Sequence, residues 1–140
     1  MFGITVEVWM MRGRTWVFGP KSKKIQDSDR KKIDTWAEKW ITILKKDHIP
    51  KKPPKKWNYI ADIYGKWVNG RFYLCSRYNC PGPNAISPWF ENRFARLEYI
   101  GNSWFQLFAM RHTGKWMRME CAVSLKECLK SIESDPWFHP

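Results

Sequence analysis

The sequence predicts an α+β domain, in which an antiparallel meander of about five strands is flanked by an N-terminal and a C-terminal helix. Three observations predict it: one helical run of apolar residues, a later series of turn dipeptides between alternating segments, and a capping signature near the end. The 140 residues, 44% of them hydrophobic, suffice for one core. We expect a single domain over residues 21–140, with residues 1–20 as an N-terminal extension or hairpin.

The first twenty residues are predicted to add a β-hairpin. Its strands would run from Ile4 to Trp9 and from Thr15 to Phe18, joined near Arg12-Gly13. This segment lacks the basic region and uninterrupted apolar stretch of a signal peptide, and the chain has no apolar run of about 18 to 20 residues. We therefore expect a cytoplasmic protein with no membrane contact.

The clearest helix is predicted over about residues 28–46. Asp27 or Ser28 can cap its start, and Pro50 prevents its continuation. Its apolar stripe predicts that Trp36 and Trp40 belong to the core. The stripe has the spacing i, i+3, i+4, i+7, i+8, i+11 and comprises Ile33, Trp36, Ala37, Trp40, Ile41 and Leu44.

A basic linker follows over residues 47–56. Between Lys21 and Lys56 there are 13 Lys and Arg residues against five acids, so this part carries +8 of the formal net charge of +12. The linker ends in PKKPPKK, whose prolines prevent a helix and whose lysines repel one another. We expect an extended segment with solvated lysines.

The dipeptide Asn69-Gly70 predicts the first hairpin of the sheet, because a type I′ turn requires positive φ at both positions. Its register places Val68 opposite Arg71, and Asp62 opposite Arg77. One face, expected in the core, holds Trp57, Tyr59, Ala61, Ile63, Trp67, Phe72, Leu74 and Tyr78. The other, expected to face solvent, holds Asp62, Tyr64, Lys66, Arg71, Tyr73, Cys75 and Arg77.

Two further turns are predicted at Gly101-Asn102 and Thr113-Gly114. They pair residues 93–100 with 103–110, and that strand with 115–121. The expected core face holds Ala95, Leu97, Tyr99, Trp104, Phe108, Met110, Met117 and Met119. The expected solvent face holds Phe94, Arg96, Glu98, Phe105, Arg111, Trp116, Arg118 and Glu120.

The last helix is predicted over residues 124–134. Ser124 and Glu127 form a capping box, in which the serine side chain accepts a backbone hydrogen bond. Leu125, Cys128, Leu129 and Ile132 form its buried stripe, and Asp135-Pro136 ends it. The aromatic tail Trp137-Phe138 is expected to fold back onto the domain.

A resemblance is carried by four runs: FARLEY at residues 94–99, RHTGKW at 111–116, SLKECL at 124–129 and DPWF at 135–138. Together they resemble a small uncharacterised bacterial family, over about Trp57 to Pro140. The resemblance implies a helix–sheet–helix domain and no particular activity. It leaves the first twenty residues outside the family.

The cysteines are weak candidates for a zinc site. The pairs Cys75/Cys80 and Cys121/Cys128 are wider than the C-x₂-C spacing that zinc knuckles use. Cys121 and Cys128 fall on predicted inward faces, where cysteine behaves as a small hydrophobe. We expect no metal and no other cofactor.

Nucleic acid is the predicted partner, because ten tryptophans accompany a net charge of +12. Cations neutralise phosphates, and rings stack on unpaired bases. We predict a small basic protein that binds single-stranded or structured RNA or DNA. The predicted contact residues are Lys51, Lys52, Lys55, Lys56, Tyr64, Lys66, Arg71, Tyr73, Arg77, Arg96, Arg111, His112, Lys115, Trp116 and Arg118.

Two other classes of function stay open. Exposed Trp, Tyr and Arg also form hot spots in protein interfaces, so an adaptor or non-catalytic subunit of a larger complex is the alternative. A small enzyme is the third, although no P-loop, GxGxxG, HExxH or GxSxG motif occurs. His112 and the carboxylates Asp62 and Glu98 are its candidate groups, and each has an ordinary role as a turn residue or an ion-pair partner.

Overall fold

Two helices flank a five-stranded antiparallel sheet in the computed structural model, which describes the backbone of residues 6–10 and 16–140 and the side chains from Pro20 onward. The predicted α+β fold is confirmed, and neighbouring strands of the sheet follow one another in chain order. In chain order the elements are β1 (Val6–Met10), β2 (Trp16–Pro20), α1 (Asp27–His48), β3 (Tyr59–Val68), β4 (Arg71–Asn79), β5 (Trp89–Gly101), β6 (Trp104–Met110), β7 (Trp116–Val123), α2 (Leu125–Ser134) and a 3₁₀ turn (Pro136–Phe138).

The core lies between the helices and one sheet face, here called the helix face. Trp36 and Trp40 are half-buried and pack against it, as the apolar stripe of α1 predicts. Phe138 is fully buried, whereas its neighbour Trp137 stays 48% exposed. Central side chains that are at most 1% exposed include Ile33, Leu44, Ile63, Leu74, Phe105, Leu107, Ile132 and Phe138.

The two helix starts differ in how they are capped. α1 begins after Gln26, which makes no side-chain capping bond, so the predicted cap by Asp27 or Ser28 is wrong. Asp27 and Asp29 lie in the first turn instead, where carboxylates favour the helix dipole. At α2 the predicted cap is confirmed, because the Glu127 N–H donates to Ser124 Oγ at 3.2 Å.

The first hairpin has the predicted register, with Val68 opposite Arg71 and Asp62 opposite Arg77. A bulge between Ile60 and Asp62 then shifts the remainder of β3 by one residue. As a result Ile60, rather than Tyr59, turns into the core. Trp57, which precedes the strand, is 73% exposed, so its predicted place in the core is wrong.

The second hairpin turns one residue later than predicted, at Asn102-Ser103. Both residues have positive φ, 52° and 61°, and Gly101 pairs with Trp104. After a further irregularity Tyr99 lies opposite Phe105, one residue off the predicted register. A one-residue slip exchanges the two faces of a strand. Phe105 is therefore 1% exposed in the core, Phe108 lies on the other face and Trp104 is 40% exposed, all contrary to prediction.

The third hairpin contains a compensating shift. Phe108 pairs with Arg118 and Met110 with Trp116, so Trp116 and Arg118 face away from the helices as predicted. Further along β7, Glu120 reaches α2, where it accepts a hydrogen bond from Ser131 Oγ, and its predicted solvent-face position is wrong. Phe94 is also a correction, because it is buried in the core next to a bulge between β4 and β5.

The predicted N-terminal hairpin is present as an antiparallel pair, in which Val6 lies opposite Pro20 and Met10 opposite Trp16. Ile4, Thr5 and the predicted turn near Arg12-Gly13 lie outside the described residues. The chain then joins the domain at the β5–β6 turn, where the Lys23 N–H donates to Tyr99 O at 2.7 Å.

Candidate nucleic-acid interface

The sheet face that points away from the helices, here called the open face, carries cations and rings together. One row across all five strands runs Lys66, Tyr73, Arg96, Phe108, Arg118. Residues directly opposite one another in a sheet share a face, so these side chains are neighbours. Four residues of this row are predicted contact residues. The fifth, Phe108, was predicted to lie in the core.

Glu98 lies on this face in the middle strand, β5, and is only 4% exposed. Its Oε2 atom lies 2.8 Å from Arg96 Nε and 3.3 Å from Arg71 Nε. Its Oε1 atom accepts a hydrogen bond from Gln106 Nε2 at 2.8 Å. A buried carboxylate needs such partners, because an uncompensated charge in the interior costs several kcal/mol. Arg71 and Arg96 therefore compensate the negative charge of Glu98, in addition to lying on the open face.

Arg96 contacts two aromatic rings as well as the Glu98 carboxylate. Its guanidinium carbon lies 4.0 Å from the ring centroid of Phe108 and 4.9 Å from that of Trp116. Burial lowers the pKa of Arg96, and the neighbouring Glu98 opposes that shift. Cation–π contacts of this kind are stronger where water is excluded. Arg96 is thus a structural member of the face, with its side chain 18% exposed.

Tyr73 is buried within the same layer. It is 6% exposed, with the Arg93 guanidinium 4.7 Å from its ring centroid and the Trp116 ring 5.9 Å away. The prediction that its ring is exposed beside the cations is therefore wrong. Cys75, also predicted to face solvent, is fully buried.

A second glutamate, Glu91, gathers another group of side chains on the open face. Tyr64 OH donates to it, and Arg93 Nε and Lys66 Nζ lie 3.1 Å and 3.4 Å from its oxygens. The hydrogen bond from Tyr64, together with the two cations, lowers the pKa of Glu91. Burial and the same hydrogen bond raise the pKa of Tyr64, so its hydroxyl stays protonated.

The open face is positively charged despite these pairs. Arg77 and Arg118 are its most exposed cations, and Asp62 turns toward α1, where it lies 3.2 Å from Lys45 Nζ. Most of the predicted arginine and tyrosine platform is therefore occupied by its own contacts. Apart from Asp62, the face holds two carboxylates, Glu91 and Glu98, against six cations, Lys66, Arg71, Arg77, Arg93, Arg96 and Arg118.

A second, more exposed surface lies where the linker enters the sheet, here called the linker end. At this end β3, β5 and β7 begin and β4 and β6 end. Tyr59, Asn79 and Trp89 lie side by side in register. A Cβ on Gly82 would lie 3.3 Å from Lys56 O, so the loop of residues 80–88 packs on the linker. The linker lysines, all exposed, are Lys51, Lys52, Lys55 and Lys56.

Three large rings accompany the lysines at the linker end. Trp57 is 73% exposed, Trp89 53% and Phe90 43%. Phe90 is stacked on Tyr78, with ring centroids 5.0 Å apart and planes inclined by 4°. This pairing fixes the orientation of Phe90 while leaving much of it accessible to solvent.

The β6–β7 turn brings two further cations and a histidine to the linker end. Arg111, His112 and Lys115 are exposed there, as predicted. The turn is closed by two backbone hydrogen bonds of 2.9 Å, from Arg111 N–H to Lys115 O and from Gly114 N–H to Arg111 O. Gly114 has φ 81°, which a residue with a side chain adopts only with strain. The turn therefore holds its cations beside the linker end.

The four cysteines are dispersed. Cys75 and Cys128 are buried, Cys80 is half-buried and Cys121 is exposed, so the predicted inward position of Cys121 is wrong. Among the residues that the structure describes, no group of three or more His, Cys, Asp and Glu side chains could hold a metal ion. Burial raises the pKa of Cys75 to about 11 and that of Cys128 to about 12.

These pKa values predict selective thiol chemistry. At about pH 8 the thiolate fraction is on the order of one in a thousand for Cys75 and one in ten thousand for Cys128, and the thiolate is the reactive form. We expect an aromatic disulfide reagent to modify Cys121 first in the native protein. Cys75 and Cys128 should react only after denaturation, as mass spectrometry of the labelled peptides can show. Rapid labelling of Cys75 in the native state would contradict its burial.

Sequence reasoning missed four residues of these surfaces: Trp89, Phe90, Glu91 and Arg93. Strict alternation separates Arg93 from Arg96, but the bulge near Phe94 places both on the open face. No local pattern announces that bulge. Trp57 did carry a signal, because it directly follows Lys55-Lys56, a pair that is rarely drawn into a core.

The profile of a family described as a domain of unknown function, DUF3024, matches residues 23–140. The chain belongs to this uncharacterised family. The match begins well before Trp57, so α1 and the basic linker are part of the family domain, and the predicted start of the resemblance was too late. No curated protein and no solved structure matches the chain. Within the described residues, no helix has both the length and the hydropathy to cross a bilayer.

Proposed function

We propose that this DUF3024 protein binds single-stranded segments of RNA or DNA, free or within a structured molecule, at its linker end. The observation that supports the proposal most strongly is that exposed Trp57 and Trp89 lie at the same end of the sheet as the exposed lysines of residues 51–56. Exposed rings stack on unpaired bases of any sequence, and mobile lysines neutralise the phosphates between them. The combination serves a single strand better than a duplex, whose bases are already stacked.

The exposed apolar side chains at the linker end also support binding of a partner there. A group of exposed large apolar side chains marks an interaction site more often than a single exposed apolar side chain does. Phe90, stacked on Tyr78, offers a ring of fixed orientation on which a base can continue the stack. Ile86, in the loop between β4 and β5 at the same sheet end, is also fully exposed.

Further cations lie at the same end of the sheet as these rings. Arg77 lies near the end of β4, and Arg111 and Lys115 lie in the β6–β7 turn at the same sheet end. The open face supports this arrangement through Glu98 and Glu91, which hold its inner cations in place. In the proposal the outer cations Arg77 and Arg118 contact phosphates, and the inner layer maintains the shape of the sheet.

The experiment measures fluorescence anisotropy of labelled single-stranded RNA, single-stranded DNA and duplex DNA at low salt. We expect the single strands to bind more tightly than the duplex. Trp57→Ala should weaken single-strand binding about tenfold, because one stacked base is worth about 1 to 3 kcal/mol. Trp104→Ala is the matched control, since Trp104 is 40% exposed at the opposite end of the sheet. Absence of binding by every probe, or equal losses in both variants, would contradict the proposal.

Docking on a larger protein is the second candidate function. It is favoured by a groove of about 510 Å³ between the helices, in which apolar Trp36, Leu125 and Leu129 lie among charged residues of both helices. Salt separates the two candidates. Phosphate binding by several cations weakens steeply as salt rises, whereas an apolar protein interface depends on salt far less.

A further inference from the structure

A surface cleft of about 480 Å³ lies between the β6–β7 turn and the C-terminal tail. Its size falls in the range of pockets that take small molecules. Three segments form it, from β5, the end of β6 with its turn, and the tail, because β6 and β5 both contact the 3₁₀ turn at residues 136–138. The residues that define its chemistry are Asn92, Phe94, Arg111, His112, Trp137 and His139.

The lining separates into a polar side and an aromatic side. Arg111 and His112 supply hydrogen-bond donors, and the closed turn described above holds both at the rim. No Asp or Glu is among the described residues that line the cleft. The polar side therefore suits an anion that accepts several hydrogen bonds, and arginine matches phosphate geometry particularly well.

Contacts within the protein hold the aromatic side of the cleft in place without a ligand. Trp137 is 48% exposed, and its backbone N–H donates to Asp135 Oδ1 at 3.0 Å. The neighbouring Phe138 anchors the tail in the core. His139 is positioned by α1, because its ring centroid lies 6.0 Å from that of His48 and 6.3 Å from that of Trp40. A flat ligand can thus stack on Trp137 without reordering the tail.

We propose that this cleft binds one nucleotide carrying a terminal phosphate, with the base against Trp137 and the phosphate on Arg111 and His112. The proposal rests on the proposed function, because the cleft lies at the same sheet end as the lysine linker. It adds recognition of a strand end to sequence-independent binding. The same chemistry occurs in a free nucleoside monophosphate, so the test must separate the two sources.

The test uses three kinds of ligand with the full-length protein. They are a free nucleoside monophosphate, single strands with a 5′- or 3′-phosphate, and the same strands with hydroxyl ends. The readouts are the affinity by anisotropy competition and the indole NMR resonance of Trp137, which the Trp137→Ala variant assigns. We expect a phosphorylated end to bind several-fold more tightly than a hydroxyl end and to shift the Trp137 resonance.

Trp137→Ala should weaken binding of the phosphorylated strand about tenfold, the effect of one lost stack. Arg111→Ala should weaken binding of the phosphorylated strand more than that of the hydroxyl-ended strand, so the preference for a phosphate should be lost even though Arg111 also contributes charge to strand binding. Trp104→Ala and Lys130→Ala are the controls, since both residues are exposed and lie away from the cleft. Melting temperatures of all variants verify that the fold is retained.

The outcomes distinguish this inference from the proposed function. If strands bind regardless of their ends and the Trp137 resonance does not move, the inference is overturned and the proposed function stands. If no strand binds but a nucleoside monophosphate shifts the Trp137 resonance, the cleft is a site for free nucleotides and the proposed function fails. Preference for a phosphorylated end, lost in Trp137→Ala, supports both.

Discussion

Glu98→Gln is expected to lower the free energy of unfolding by about 3 to 5 kcal/mol, the usual cost of removing one partner from a buried ion pair. The substitution keeps the shape of the side chain and its ability to accept a hydrogen bond from Gln106. It leaves the Nε groups of Arg71 and Arg96 facing a neutral amide at 3.3 Å and 2.8 Å. Chemical denaturation followed by circular dichroism measures the loss.

Glu91→Gln is the matched control for this prediction. Glu91 also serves two cations, but its side chain is 23% exposed, against 5% for Glu98. When Glu91 is replaced, water can therefore solvate Lys66 and Arg93. We expect the free energy of unfolding to fall by no more than about 1 to 2 kcal/mol. Equal and small losses in the two variants would show that the open face does not depend on a buried charge.

The helices and the first hairpin were predictable because their signals are local and redundant. The stripe of α1 recurs over three turns, so errors at its ends do not change which face is buried. At Asn69-Gly70 both positive-φ positions fall on residues that tolerate them, with φ 51° and 76°. The turn therefore determined the register, and Val68 lies opposite Arg71 as predicted.

The second hairpin was not predictable from its turn alone. Gly101-Asn102 and Asn102-Ser103 both suit positive φ, and Gly101 does adopt φ 97° just outside the actual turn. Local chemistry does not choose between them, and the choice decides whether Phe105 or Phe108 is buried. Packing against the helices selects Phe105, and a later shift in β7 restores the outward position of Trp116.

The linker end of the sheet could have been inferred from topology. In a meander, alternate turns lie at the same end, so the 80–88 loop and the 111–115 turn must join the linker there. The bulges in β3 and near Phe94 could not have been inferred, because they break alternation without a glycine or proline to mark them. The sequence therefore predicted where the linker lysines and the cations of the β6–β7 turn lie. The side chains on the open face differ in part from the prediction.

Replacing the four linker lysines by glutamine is expected to weaken single-strand binding on the order of a hundredfold at about 0.1 M salt, because each phosphate contact releases counterions. The side chains of Lys51, Lys52, Lys55 and Lys56 are exposed in an extended linker, so their removal should leave the fold intact. The matched control replaces four other exposed lysines, Lys31, Lys32, Lys126 and Lys130, and changes the net charge equally. We expect the control to lose less than about tenfold through long-range electrostatics.

The most direct test of the proposed interface is the salt dependence of single-strand binding in these three proteins. For single strands the slope of log K against log salt is about −0.7 per phosphate contact. If the linker lysines contact phosphates, the linker variant should have a slope less steep by about 3 than the wild-type protein, and the control variant should keep the wild-type slope. Identical slopes in the linker and control variants would show that nucleic acid, if bound, does not lie on the linker.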